Sequence, residues 1–355
     1  MRAWNLVQTY MLKRESMSIV KVHGPRSNEE PNDITIQWSM GNFCNFDCEY
    51  CPKQLHDGSL GWQNTDVYLD VIDKICTHYT KQNKTVNFEL IGGEVTTIPG
   101  FLDILQKIKE HNGRSIVFTN GSRSRNWWNK AKHYIDDLII SFHINSMHED
   151  DLIAMADEIS DTVPASYHLA GVKDSLPDIE ILQKRLREVY RNNKVQDYYG
   201  VNIDIKTMYK KLLGPGSKQD PFYNYDGNDW RIINLPAWEI DPAPPPHQPP
   251  IIHTPPKDNQ GEFLFTVMSS DNSIQYMEPD QIMNQGMNKF KGMTCHIGER
   301  GFNIDMRGNI VSSWCGAKTY GNVFTDQFEL PTPSGVVCPH EHCNNPKDIA
   351  ILKTS

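Results

Sequence analysis

No stretch of this sequence is apolar for anything near the roughly 20 residues that a bilayer-spanning helix needs, so no membrane insertion is expected. Residues 1–13 mix basic and apolar side chains but lack the continuous apolar core and small-residue cleavage site of an export signal. A cytoplasmic location is therefore expected. Excess positive charge is lacking too: 35 Lys and Arg face 44 Asp and Glu, a net charge of −9. Phosphate backbones are bound by clustered Lys and Arg, so general nucleic-acid binding is not expected. The short basic runs at 184–187 and 210–211 sit among acids and read as solvated faces. Low-complexity sequence is confined to one proline-dense stretch.

What is present suits a folded enzyme-sized chain. Hydrophobic residues make up 38% and charged residues 22% of 355 positions, enough for one large domain with a sizeable core and a smaller appendage. The eight cysteines crowd towards the start and the end. In a long chain without an export signal this fits metal ligation in a reducing compartment better than disulfides.

Strand patterns fall at 34–39, 85–91, 115–119, 137–143, 165–169 and 200–206. Helical patterns lie between them, most clearly at 66–79, 101–109 and 178–192. In the first, Leu69, Ile72, Cys76 and Tyr79 share one stripe at the 3.6-residue period. Strands alternating with helices imply an α/β fold with a parallel sheet, which right-handed crossovers curl into a partial (β/α)6 TIM-like barrel over 33–207. An N-terminal extension, 1–32, precedes it. A Pro-rich insertion, 208–261, follows, whose 235–256 stretch reads as an extended surface excursion or a lid. Residues 262–289 read as a connecting strand (262–268) and helix (279–290). Residues 290–355 form a small C-terminal α+β domain with four cysteines.

Cys44, Cys48 and Cys51 follow the first barrel strand in a C-x3-C-x2-C loop. Three thiolates this close can wrap three corners of an iron–sulfur cube, and a missing fourth ligand leaves one iron open for catalysis. Cys76 lies on a helical stripe and reads as an ordinary buried thiol. A zinc half-site or a redox dithiol would use only Cys48 and Cys51 and leave Cys44 without a task.

The loop, with Tyr50 as the aromatic before its last cysteine, resembles the signature of the radical S-adenosylmethionine (SAM) superfamily. The six strand–helix units after it agree with that family's partial barrel. The resemblance implies a [4Fe–4S] cluster whose open iron chelates SAM, and a one-electron cleavage of the sulfonium to methionine and a 5′-deoxyadenosyl radical. It also implies a one-electron donor such as a flavodoxin or ferredoxin.

Gly92-Gly93-Glu94 closes the second strand. On its residues alone this is a turn where backbone can approach a ligand and a carboxylate can meet an ammonium. By resemblance it is the segment that holds SAM's amino group, with Val95 where the family often has Pro. Alternation turns Ile140, Phe142 and Ile144 towards the helices and leaves Ser141 and His143 to the lumen. On the sixth strand Val201, Ile203 and Ile205 face outwards and Asn202, Asp204 and Lys206 inwards, with His168 joining from the fifth. Similar enzymes use the fourth strand for SAM's ribose, which points to Ser141 and His143. His168, Asn202, Asp204 and Lys206 are then candidates for the methionine carboxylate or the substrate. Asn120-Gly121 reads as turn chemistry.

Cys295, Cys315, Cys338 and Cys343 can ligate a second [4Fe–4S] cluster or a structural zinc, with His340 and His342 as alternative ligands. A cysteine, a strand pair turning at Arg307-Gly308, a second cysteine and a distant pair resemble the twitch domain, the short form of the SPASM extension. That resemblance implies an auxiliary [4Fe–4S] cluster; Cys315 falls later after Gly308 than usual, so an altered hairpin is expected. The function expected is hydrogen abstraction from a small molecule or nucleotide, with the auxiliary cluster taking an electron. A ribosomal peptide substrate is the alternative, although 1–32 is short for a leader-binding domain. A zinc-stapled binding protein is the remote third reading.

Overall fold

The computed structural model describes residues 19–23, 33–191, 201–206, 208, 223–233, 265–270, 273–277, 282–283, 285–298, 300–325, 328–331, 335–345, 348–349 and 351–355. The proline-dense stretch 235–256, and with it the lid reading, lies outside the described residues. So do 1–18 and 24–32 of the N-terminal extension and 262–264 of the expected connecting strand.

In chain order the first elements are β1 (Ile19–His23), β2 (Asp33–Ser39), α1 (Thr65–Thr80), β3 (Thr85–Ile91), α2 (Phe101–Glu110), β4 (Arg114–Thr119) and α3 (Arg125–Ala131). Then come β5 (Asp137–Phe142), α4 (Glu149–Ile159), β6 (Ala165–Ala170), α5 (Leu176–Tyr190), β7 (Asn202–Lys206) and α6 (Gly227–Ile233). The remainder is strand: β8 (Phe265–Ser269), β9 (Ile274–Met277), β10 (Thr294–Cys295), β11 (Gly301–Ile304), β12 (Asn309–Val311), β13 (Thr319–Asn322), β14 (Val336–Val337) and β15 (Lys353–Thr354). No helix among the described residues is long and apolar enough to cross a membrane.

β2 to β7 lie side by side in sequence order, all parallel, with a helix following each. This is the expected α/β partial barrel. Alternation does the sorting. Leu138, Ile140 and Phe142 of β5 are buried against helices, and so are Tyr167 and Leu169 of β6 and Ile203 and Ile205 of β7. The neighbours between them point the other way. Helix α1 shows how the outer layer forms. The Asn64 side chain caps it by accepting from Asp66 N, and Tyr68, Val71, Ile72, Ile75, Cys76 and Tyr79 make its buried face. Tyr68 meets the fully buried Trp38 of β2 edge-on, with centroids 5.6 Å apart.

The C-terminal segment does not fold apart from the barrel. β11 adds to the free edge of β2 as a parallel strand, Gly301 opposite Thr35 and Ile304 opposite Trp38, and β12 and β13 extend the sheet to nine strands. Gly301 permits the junction, since a Cβ there would stand 2.4 Å from Thr35 O. The β11–β12 hairpin turns at Asp305–Gly308, with Gly308 at φ +83°, and the β12–β13 pairing slips register between Asn309 and Val311.

A second sheet runs β14-β10-β15-β1-β8-β9, so part of the N-terminal extension is a central strand. Its core holds Val22, Val267, Met277, Ile282, Phe290, Met293 and Ile349 beside Cys338 and Cys343. The helix expected over 279–290 is a correction. Of its described residues only Ile282 and Met283 are helical. Gly286, at φ +66°, ends the turn at once, with Gly286 N on Met283 O and Met287 N on Ile282 O. Residues 279–281 and 284 lie outside the described residues.

Candidate active site

The cysteine loop leaves the carboxyl end of β2, where parallel barrels keep their reactive groups. Asn42, only 1% exposed, organises it. Its Nδ2 donates to Asp57 Oδ1 (2.7 Å), Ser59 Oγ (2.9 Å) and Gln54 O (3.1 Å), and its Oδ1 accepts from Leu60 N (3.0 Å). The chain after the cysteines is thereby folded back onto the residue before them.

The Gly92-Gly93-Glu94 turn packs directly on this loop. Gly93 N donates to Gly41 O (3.1 Å) and Glu94 N to Phe43 O (2.7 Å). A Cβ on Gly93 would lie 2.0 Å from Phe43 O. Close approach is thus needed here by the loop's own backbone, before any ligand arrives. The Glu94 side chain is wholly buried. Its Oε1 accepts from Thr96 Oγ1 (2.6 Å), Thr119 Oγ1 (2.8 Å) and Thr96 N (3.1 Å), and its Oε2 from Asn120 N (2.6 Å). Burial raises its pKa and these donors oppose the rise. The carboxylate expected to meet an ammonium therefore clamps the ends of β3 and β4 together.

Asn120, read from sequence as turn chemistry, links that clamp to the cysteines. Its Nδ2 donates to Asn45 Oδ1 (3.0 Å) and approaches Cys44 Sγ (3.8 Å). Cys48 Sγ lies 3.6 Å from Ser146 Oγ in the turn after β5. Tyr50 Oη is 2.8 Å from His143 Nδ1, and Phe46 meets the same imidazole edge-on. Glu49 Oε1 accepts from Tyr223 Oη (2.6 Å), while Tyr225 Oη donates to Gly171 O (2.6 Å). Residues 223–225 thus span from the β6 end to the cysteine loop. Sequence gave no signal for Ser146 or Tyr223, whose partners lie far along the chain.

Burial raises the pKa of all three loop thiols, Cys51 to about 11 with Cys48 and then Cys44 adding to the rise. Cys51 therefore feels both other thiols, and Cys44 feels Cys48. Burial also holds His143 down at about 4, which keeps its imidazole neutral.

Across the lumen Ser141, His168 and Asp204 are direct neighbours on β5, β6 and β7. Asp204 Oδ2 accepts from Lys206 Nζ and Asn202 Nδ2, each at 2.8 Å. Those two donors, set against burial, keep the Asp204 carboxyl below its ordinary pKa. Burial, then the Lys206 charge, lowers His168. Inward-facing Gln37 donates to Glu89 Oε2 (2.6 Å), a pair on β2 and β3 not singled out from sequence.

The four tail cysteines, 295, 315, 338 and 343, line one cavity together with His340, His342, Asp348 and Lys353. Nε2 of His340 is buried there and has no hydrogen-bond partner among the described residues. Asp348 receives Cys315 N (3.0 Å) and Trp314 N (3.3 Å). Neither Asp348 nor Lys353 was singled out from sequence. Among the described residues, no three His, Cys, Asp or Glu side chains stand close enough to hold a single metal ion.

Residues 38–195 match the family model described as the Radical SAM superfamily. No curated protein matches the chain. Among solved structures, BtrN in complex with AdoMet and 2-DOIA is 12% identical, over 81% of this chain and 77% of that one, at a TM-score of 0.38. Native anSMEcpe with bound AdoMet is 13% identical over 83% and 79%, at 0.46. Streptococcus suis SuiB bound to precursor peptide SuiA is 14% identical over 85% and 65%, at 0.47. At such identities and scores the likeness carries nothing about substrate. An α/β partial barrel with this domain at its centre defines an enzyme that uses a [4Fe–4S] cluster and SAM. Residues 38–195 of the chain are thus a radical SAM domain.

Proposed function

We propose that Cys44, Cys48 and Cys51 hold the catalytic [4Fe–4S] cluster and that the chain performs a net dehydrogenation of a small molecule or nucleotide. When bound, the cluster supplies the electron that splits SAM into methionine and a 5′-deoxyadenosyl radical. The observation that carries the reading is the loop itself. Its three thiols lie in one loop pinned from three sides, by the Gly93 turn, by Asn120 and by the turn after β5. Metal binding needs thiolates, so the raised pKa values mean that loading releases protons.

The rest of the site positions and shields. Backbone at Gly92-Gly93 is left to meet SAM's amino group, because the Glu94 carboxylate is engaged elsewhere. Ser141 and His143 are the ribose contacts in this reading, which the Tyr50 bond to His143 supports. His168, Asn202, Asp204 and Lys206 form the substrate face, and the His168–Asp204 pair takes the proton lost after hydrogen abstraction. The four tail cysteines, which line one cavity, would hold an auxiliary [4Fe–4S] cluster, and such a cluster would supply an acceptor for the remaining electron. A flavodoxin- or ferredoxin-type donor delivers the first electron, consistent with a cytoplasmic site of action.

The test is 5′-deoxyadenosine formation from SAM under reductant and exclusion of oxygen. Cys48→Ala should abolish the product. Cys338→Ala and Asp204→Asn should each keep uncoupled SAM cleavage within about threefold of the parent chain. Loss of cleavage in Cys338→Ala would make the tail site structural. A colourless, zinc-containing protein would replace the whole reading by a binding protein.

A further inference from the structure

Lys353 is 1% exposed. The β10–β15 pairing sets it directly opposite Cys295, and its side chain lines the four-cysteine cavity. Its ammonium is held by the backbone carbonyls of Asp348, Ile349 (3.3 Å) and Ile351 (2.9 Å) and lies 5.1 Å from the centre of the Phe290 ring. Among the described residues, no carboxylate pairs with it at salt-bridge distance. Carbonyl dipoles orient an ammonium, and Asp348 on the same cavity offsets its charge only from beyond salt-bridge distance; a buried charge so partly offset is costly. The cavity beside it holds the anions it lacks, once the thiols are deprotonated.

We infer that Lys353 is the built-in counter-charge of the tail metal centre, holding it in place and easing its reduction. This rests on the reading of Cys295, Cys315, Cys338 and Cys343 as ligands of a [4Fe–4S] cluster. Four thiolates on a doubly positive cube leave two negative charges, and one-electron reduction makes three. A fixed positive charge across the strand stabilises the reduced form more than the oxidised one. Asp348, on the same cavity, keeps the net local charge from becoming positive.

The experiment uses the full chain with Cys44, Cys48 and Cys51 all changed to Ala, so that any iron left belongs to the tail. Reconstituted without oxygen, it should hold about four irons per chain. Absence of iron in this background, with iron present in the parent chain, would sink the auxiliary-cluster reading itself. With iron present, the midpoint potential is followed by paramagnetic resonance in Lys353→Met, Lys353→Gln and Lys353→Arg. Met keeps the shape, Gln keeps an N–H for the carbonyls and Arg keeps the charge. The two neutral variants should shift to more negative potential, or lose the cluster to a chelator, while Arg stays near the parent. Unchanged potential and retention in the neutral variants would overturn the inference. Equal loss of the cluster in all three would overturn it too, because packing alone would then be at stake.

Discussion

Tyr50 and His143 hold each other: Oη stands 2.8 Å from Nδ1, and the two rings stack at 23° with centroids 5.8 Å apart. One residue lies between the second and third loop cysteines and the other just beyond β5. The pair therefore fastens a cluster-binding loop to the barrel wall. Tyr50→Phe keeps the stack and loses the bond, which should cost about 1 kcal/mol of stability with iron retained. Tyr50→Ala loses both, and iron bound per chain should fall under a chelator challenge. Full retention in Tyr50→Ala would show that the pair does not hold the loop.

Gly93 and Gly41 invite a contrast. A Cβ at 93 meets a backbone oxygen at 2.0 Å, whereas one at 41 meets the Trp62 ring at 2.4 Å and Gly61 O at 2.9 Å. Backbone in a bonded turn yields less readily than a side chain. Gly93→Ala should strip the chain of the loop cluster, about four irons fewer, and of SAM binding. Gly41→Ala should retain more of both. Iron analysis and SAM titration by calorimetry check the order, and the reverse order would contradict it.

Glu94→Gln puts an amide where both carboxylate oxygens now accept hydrogen bonds. Either orientation sets donor against donor in a buried site. A loss of about 2–3 kcal/mol in chemical denaturation is expected, against about 1 kcal/mol for Thr96→Val, which removes one donor. Equal costs would mean that the clamp is not organised around the carboxylate.

Asp137, at the start of β5, carries a pH prediction. Burial pushes its carboxyl up to about 6 from an ordinary 3.8. Between those values the folded chain holds a proton that the unfolded chain releases, so stability rises as pH falls through 6 and the gain is complete below 3.8. Above pH 6 the charged group is a cost. Asp137→Asn should therefore stabilise the protein at pH 7.5, by up to about 3 kcal/mol, and by less at pH 5. The same gain at both pH values would remove the explanation.

The sequence made the barrel legible because alternation and helical stripes are local signals. Ile140 and Phe142 against Ser141 and His143, or Ile203 and Ile205 against Asn202, Asp204 and Lys206, follow from the period of a strand alone. The cysteine loop was legible from its spacing. What stayed hidden was long-range. Nothing local tells Gly301–Ile304 to pair with β2, or Ile19–His23 to enter the second sheet. The helix expected at 279–290 does not reach its end because Gly286 stops it. Glu94 read as a free carboxylate because its partners Thr119 and Asn120 sit on another strand end. Lys353 gave no signal, since burial of a charge becomes visible only with the carbonyls and thiols around it.

One spectrum tests the core of the account. In the Cys338→Ala chain, reconstituted without oxygen and reduced, paramagnetic resonance should show a [4Fe–4S] signal that changes shape when SAM is added. Such a change means that SAM has taken a coordination position the three loop thiolates leave vacant. A protein without iron, or a signal indifferent to saturating SAM, would contradict it.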